Sequence, residues 1–191
     1  MRIIIGLGNP GKAYQGTRHN VGFDTIDKLC NDLDIKLKPH RRFRAHVGDG
    51  RMGQSAVLMV KPQTYMNLSG QSVQAILAFY KLPPSEIIVV YDDISLPVGD
   101  IRVRERGSAG GQKGMVDILA RLGTDEFPRV RIGIGNKPEN RDLADYVLSR
   151  FAKSEREAIS QGIAAAGEAV GLILSDGTAT AMNEFNRRLK V

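Results

Sequence analysis

His19 is the side chain of this sequence best suited to moving a proton near neutral pH. It stands in Thr17-Arg18-His19-Asn20, on a glycine-bounded polar stretch that also carries Asn9 and Tyr14. A histidine on a loop needs a partner to fix its tautomer. Asp92, at the end of the apolar run Ile87-Ile88-Val89-Val90-Tyr91, offers a carboxylate that could accept from one ring nitrogen and stabilise the imidazolium formed at the other. The competing reading of Asp92 is a turn or helix-cap aspartate, with Asp93 as a rival beside it. His40 and His46 fall in basic, strand-like sequence and read as surface residues. Cys30 follows Leu29 at helical spacing and reads as a small buried apolar residue. No G-x-S-x-G, H-E-x-x-H or paired C-x-x-C pattern is present. By elimination, a His19–Asp92 pair would activate water directly, with no metal and no cofactor.

The elements that must hold these groups follow from periodicity. Ile3-Ile4-Ile5 reads as a buried strand delivered into a turn by Gly6, Gly8, Pro10 and Gly11. Gly6-Leu7-Gly8-Asn9-Pro10-Gly11 fits G-x-G-x-x-G, but a dinucleotide site needs a helix to start there. Residues 12–20 lack apolar periodicity, and the helix pattern starts only at Phe23, running to about Leu33. Residues 42–50 and 55–60 read as a hairpin joined through 49–53, the second strand ending at Pro62. A helix with Val73, Ile76, Leu77 and Tyr80 follows, stopped by Pro83-Pro84. Residues 86–91 form the most apolar strand, placed centrally. Arg102 to Glu105 is a strand, then Gly107-Ser108-Ala109-Gly110-Gly111 opens a helix with Met115, Ile118, Leu119 and Leu122. That loop is either a tight turn or a phosphate cradle of backbone N–H groups. Val130 to Ile134 is a strand and Leu143, Val147 and Phe151 mark a short helix over the site. Ser154-x-x-Glu157 reads as a capping box, and a last helix spans 178–189. Strands interleaved with helices, plus a hairpin, predict one α/β domain over 1–191: a sandwich whose twisted mixed sheet is flanked by helices.

With 42% hydrophobic and 25% charged residues the composition is that of a globular chain rather than a disordered one. One cysteine excludes an internal disulfide and suits a reducing compartment. The N-terminal apolar run is short for a signal peptide and no run approaches a membrane span, so a cytoplasmic protein with no membrane partner is expected. The +6 net charge favours polyanions. Its distribution is more telling: Lys36, Lys38, Arg41, Arg42 and Arg44 lie between 36 and 44 without an acid, Arg187, Arg188 and Lys190 close the chain, and Arg102, Arg104 and Arg106 alternate at the period that puts them on one strand face. Modest aromatic content leaves a monomer as the expectation.

Gly6 to Gly11, Thr17 to Asn20, Pro62-Gln63-Thr64-Tyr65-Met66-Asn67-Leu68-Ser69-Gly70, Tyr91-Asp92-Asp93 with Leu96-Pro97-Val98-Gly99, and Arg131-Ile132-Gly133-Ile134-Gly135 together resemble, in order and spacing, the bacterial peptidyl-tRNA hydrolase family. The resemblance covers nearly the whole chain. It implies hydrolysis of the ester between a peptide and the terminal ribose of tRNA, with His19 as general base and Asp92 as its supporting carboxylate. It further implies that Asn9 tells blocked from unblocked aminoacyl groups, that Asn67 positions substrate and water, and that Tyr14, Tyr65 and Met66 bind the tRNA end and the peptide. Arg104 and Arg129 would clamp the 5′ phosphate. Where many members read Gly-Gly-His-Asn-Gly, this chain reads Gly110-Gly111-Gln112-Lys113-Gly114, and a lysine cannot accept a hydrogen bond as an asparagine does. Chloroplast splicing factors similar to the family bind RNA without this catalysis, which leaves an RNA-binding module as the rival reading. Such a module needs the basic face but not the base–carboxylate pair. A peptidase or nucleoside phosphorylase on a similar mixed core is a third possibility.

Overall fold

The structure is a computed structural model that describes residues 1–187. The strands are β1 (Arg2–Gly6), β2 (Lys38–His40), β3 (Ala45–Met52), β4 (Ser55–Pro62), β5 (Ile87–Asp93), β6 (Ile101–Arg104) and β7 (Arg129–Gly133), and they form one sheet in the order β2-β3-β4-β1-β5-β7-β6. β1 runs parallel to β4 and β5, and β5 parallel to β7. The pairings β2–β3, β3–β4 and β6–β7 are antiparallel, so the sheet is mixed, as the hairpin implies. Helices are α1 (Val21–Asp32), α2 (Ser69–Tyr80), α3 (Lys113–Leu122), α4 (Leu143–Val147), α5 (Arg156–Asp176) and α6 (Thr178–Asn186).

Strand alternation divides the core in two. Ile4, Met59, Ile88, Val90, Val130 and Ile132 point to one face, covered by α1, α5 and α6. Ile3, Ile5, Leu58, Val60, Val89 and Tyr91 point to the other, covered by α2 and α3. Strands buried on both faces carry no polar alternation, which is why β1 and β5 read as unbroken apolar runs.

The glycines at the end of β1 answer to backbone contact rather than to a nucleotide. A Cβ on Gly6 would lie 2.1 Å from the carbonyl oxygen of Gly22, and one on Gly22 would lie 2.4 Å from that of Val90. α1 can therefore start almost against the ends of β1 and β5. Leu7 N–H donates to Val90 O at 2.9 Å and Phe23 N–H to Leu7 O at 3.2 Å, fixing that contact. This brings the short turn Arg18–Asn20, which precedes α1, over the carboxyl end of β5.

Four local expectations are corrected. The hairpin is tighter than 49–53: β3 continues to Met52, which pairs with Ser55, and Gly53 supplies the positive φ of 59° that a two-residue turn needs. Arg106 lies beyond β6, so only Arg102 and Arg104 share its face. The capping box is not Ser154–Glu157 but sits on the 3-10 turn Lys153–Glu155 that leads into α5, where Glu155 Oε2 accepts from Ala152 N–H at 2.7 Å. One run does reach membrane-like hydropathy: residues Lys153–Asp176 hold an 18-residue window of mean hydropathy 1.4. Its Ile159, Ala166, Ala169, Val170 and Ile173 are buried in the core beneath the sheet, which accounts for the apolar composition of α5. Arg188, Leu189 and Lys190 lie outside the described residues.

Burial, reinforced by Asp27 and partly offset by Lys61, pushes the Asp24 carboxyl in α1 up to about 6. A carboxyl raised from 3.8 on folding disfavours the fold once ionised, so its contribution worsens as pH rises from 3.8 to about 6 and stays unfavourable above. Asp24→Asn is expected to stabilise the protein at neutral pH by on the order of 1–2 kcal/mol in urea denaturation, the gain vanishing as pH falls below the ordinary carboxylate range.

Candidate active site

β1 and β5 are adjacent and parallel, so the residues after both strands emerge on one edge of the sheet. There a cleft of about 520 Å3 opens. His19 and Asp92 meet in its floor, with His19 Nδ1 2.7 Å from Asp92 Oδ2 and the two residues 7% and 3% exposed. An ionised carboxylate only accepts, so Nδ1 carries the proton and Nε2 is left as the basic nitrogen. Asp93, one residue on, takes the opposite pleat. Its Oδ1 accepts from Ser95 N–H and Oγ–H at 2.9 and 2.7 Å, and its Oδ2 lies 2.7 Å from Arg131 Nη2. The turn-aspartate role thus belongs to Asp93, which leaves Asp92 for the histidine.

The other oxygen of Asp92 has a partner that sequence reasoning passed over. Gln112 Nε2 donates to Asp92 Oδ1 at 3.1 Å and lies 3.1 Å from Met66 Sδ, while its Oε1 accepts from Met115 N–H at 2.8 Å as the N-cap of α3. One buried amide ties the carboxylate, the cleft wall and a helix start together. Gln112 stood in the motif already, but nothing local says where a side chain on a glycine loop will point.

Asn9 is held with comparable rigidity. Its backbone N–H donates to Asn20 Oδ1 at 2.9 Å and its carbonyl accepts from Asn20 Nδ2 at 3.0 Å. Its Oδ1 accepts from Met66 N–H at 2.8 Å. A carbonyl oxygen is the atom that can accept there, so the orientation of the amide is set and Nδ2 is presented as a donor. Met66 is buried, whereas Asn67 and Tyr65 are exposed along the cleft, and Tyr65 meets Tyr14 edge to face at 6.4 Å. Gly110 and Gly111, at φ 57° and 82°, form the opposite lip with Lys113, which is exposed at the start of α3.

The two predicted clamp arginines separate. Arg129 is 1% exposed, and its guanidinium donates to the carbonyls of Gly107 at 2.5 Å and Asp125 at 2.6 Å, with Phe127 O at 3.4 Å. That is a correction: its donors are spent on backbone carbonyls inside the protein and are not offered to the cleft. The arginine facing the cleft is Arg131, two residues further along the same face of β7. Arg104 remains beside it. Burial, then the like charges of Arg102 and Arg131, lowers the Arg104 pKa, which marks a cluster of cations short of acids.

Arg18, also missed, fastens the histidine turn. Its Nη1 donates to Ile134 O at 2.8 Å, and Nη1 and Nη2 donate to Glu155 at 3.1 and 2.7 Å. Its guanidinium lies 4.7 Å from the Tyr146 ring centroid and 4.6 Å from that of Phe151. Among the described residues no three His, Cys, Asp or Glu side chains converge as metal ligands.

A family model described as peptidyl-tRNA hydrolase matches residues 3–191. A peptidyl-tRNA hydrolase of Lachnoclostridium phytofermentans is 53% identical over 188 residues, covering 98% of both chains. One of Alkaliphilus oremlandii is 51% identical, covering 97% of this chain and all of the relative. The crystal structure of the Acinetobacter baumannii peptidyl-tRNA hydrolase superposes with a TM-score of 0.92 at 35% identity, covering 97% of this chain and 94% of that one.

The Arg18–Glu155 pair has a pH signature. The hydrogen bond from Arg18 holds the Glu155 carboxyl below its ordinary value of 4.5 against the opposing effect of burial. A depressed carboxyl stabilises the fold above its unfolded pKa and stops doing so as pH falls through the folded one. Glu155→Gln is therefore expected to cost about 1–3 kcal/mol at neutral pH, measured by urea denaturation, and the difference from the parent should shrink below pH 4.5.

Proposed function

The chain belongs to the peptidyl-tRNA hydrolase family, and from that premise we propose that it hydrolyses the ester joining a peptide to the terminal ribose of tRNA, with His19 as general base and Asp92 as its support. The observation that carries this reading is the hydrogen bond from His19 Nδ1 to Asp92 at the floor of the cleft. Water held at Nε2 loses a proton to the imidazole as its oxygen attacks the ester carbonyl, and Asp92 stabilises the imidazolium. Asn9 Nδ2 donates to the carbonyl oxygen as it becomes negative. Collapse breaks the bond to the ribose oxygen, which takes the proton back from His19. Water thereby adds across the ester, and the base is regenerated.

Substrate binding follows from the walls. Tyr65, in the cleft wall, and Tyr14, which meets it edge to face, offer aromatic surface to the terminal base, and Met66 with Leu143, Val147 and Leu148 offers apolar surface to the peptide. Asn67 supplies both a donor and an acceptor for substrate and water. Arg104, with Arg131 in place of Arg129, takes the 5′ phosphate, for which guanidinium geometry is suited. Backbone at Gly110 and Gly111 contributes to the same end of the substrate. Lys113 reaches a phosphate or a carbonyl as a cation, since it has no acceptor to offer. The reading describes a cytoplasmic monomer acting on products of translation, without metal or cofactor.

His19→Ala is expected to lower release of N-acetyl-aminoacyl groups from tRNA by on the order of 10²–10⁴-fold while leaving the Kd for tRNA nearly unchanged. Full turnover by that variant would remove the mechanism. Gln112→Leu should lower kcat about tenfold with KM little altered, since it frees one carboxylate oxygen of Asp92 without touching the base. A rise in KM at constant kcat would show that Gln112 serves substrate binding instead.

A further inference from the structure

We propose that the turn between β2 and β3, with the strand leading into it, is a second RNA-binding surface that contacts the phosphate backbone of the tRNA body away from its acceptor end. The proposal rests on the substrate reading above, whose cleft leaves this surface without a role. Lys36, Lys38, Arg41, Arg42 and Arg44 are all exposed, and among the described residues none of them forms an ion pair. Asp32 is taken by Lys28, and among the described residues neither Asp34 nor Asp49 forms an ion pair with them. Five unmatched cations in nine residues raise the local potential and suit a polyanion.

The surface is also mounted rigidly, which a merely solvated charge run does not require. Phe43, 1% exposed, plugs the turn into the core. His40 stacks on Phe43 at 3.8 Å, with its Nδ1 accepting from Phe43 N–H at 3.3 Å. Phe79 of α2 meets Phe43 edge to face at 5.2 Å, and the guanidinium of Arg42 lies 4.8 Å from the Phe79 centroid. Arg44 donates to Gln71 Oε1 at 2.5 Å, and its carbonyl accepts from Gln63 N–H at 2.7 Å. The backbone of Arg44 takes a φ of 48°, so the turn is held in a conformation most side chains avoid. Order of this kind limits the entropy lost when the cations engage a ligand.

Position then selects the ligand. Ala45 pairs with Pro62 at the carboxyl end of β4, so the turn projects from the same edge of the sheet as the cleft. It is joined to the cleft wall through Gln63 and Gln71, which flank the segment carrying Tyr65 and Asn67. β2 lies four strands from β5 and six from β6, which carries the Arg104 assigned to the 5′ phosphate, lateral spans of about 19 Å and about 29 Å at the usual strand spacing. A nucleic-acid backbone with one phosphate per roughly 3.4 Å of strand crosses the longer of these distances within about nine nucleotides, so the contact falls beyond the 5′ phosphate, in the body of the tRNA. A tRNA whose 3′ end occupies the cleft and whose 5′ phosphate lies at Arg104 therefore has backbone long enough to reach this turn, whereas a 3′-terminal fragment of about three or four nucleotides does not.

The test compares two substrates on one variant. In Lys38→Glu/Arg41→Glu/Arg42→Glu, kcat/KM on full N-acetyl-aminoacyl-tRNA should fall tenfold or more. The slope of log kcat/KM against log salt should flatten by about 2 to 3. Cleavage of the same ester on a short 3′-terminal oligonucleotide should change less than twofold. Unchanged cleavage of full tRNA would overturn the proposal, and so would equal losses on both substrates, which would mean that the changes act through the fold or the cleft. If the unaltered protein cleaves neither substrate, the catalytic reading fails by itself. The surface is then judged by the salt slope of tRNA Kd, which must still flatten in the variant, and by the Gln versions of the three positions, which must weaken binding less than the Glu versions.

Discussion

One hydrogen bond, from His19 Nδ1 to Asp92 Oδ2, sets what the cleft can do. It determines which imidazole nitrogen is basic, and so where a water would sit in the proposed reaction. Much of the nearby architecture serves to keep it. Parallel pairing of β1 with β5 puts Asn9 and Asp92 on one edge. The close contact of Gly22 with Gly6, Leu7 and Val90 lets α1 begin there. The Arg18 network fastens the turn from behind, and Gln112 holds the far oxygen of the carboxylate. Loss of any of these leaves the residues present but the alignment loose, and catalytic geometry is sensitive to displacements of about 1 Å.

Arginine is used in two different ways in this chain, and burial distinguishes them. Arg18 and Arg129 are rivets: each spends its fork of donors on carbonyls, and Arg18 also on Glu155, joining segments that lack regular pairing. Arg102 and Arg104 lie at the sheet edge beside Arg131, where mutual repulsion is only partly relieved by Asp93. An anionic substrate would relieve it further. The same guanidinium chemistry thus gives cohesion inside and an unsatisfied field outside.

The elements and their order were legible because strands buried on both faces and amphipathic helices write their periods directly into sequence. Asp92 was legible because it stands where an apolar run gives way to polar residues, and His19 because it stands among hydrogen-bonding side chains on a glycine-bounded polar stretch. Rejection of a dinucleotide site also rested on local grounds, and the Gly6–Gly22 contact supplies the physical reason for those glycines. What stayed hidden depends on depth and on partners distant in sequence. Arg129 and Arg131 share a face of β7, so alternation cannot separate them; only the packing of Phe127 and the Gly107 loop over the first does so. Gln112 reaches Asp92 across 20 residues and Arg18 reaches Glu155 across 137, separations to which no local pattern refers.

The tautomer of His19 is the most direct test of this account. In ¹⁵N-labelled protein above the imidazole titration range, two-dimensional NMR should show His19 with its proton on Nδ1 and with Nε2 bare, and Asp92→Leu should shift the population toward the Nε2–H form that free imidazole side chains prefer. A native protein already carrying the proton on Nε2 would contradict the account, because the nitrogen facing the cleft could then accept nothing from water.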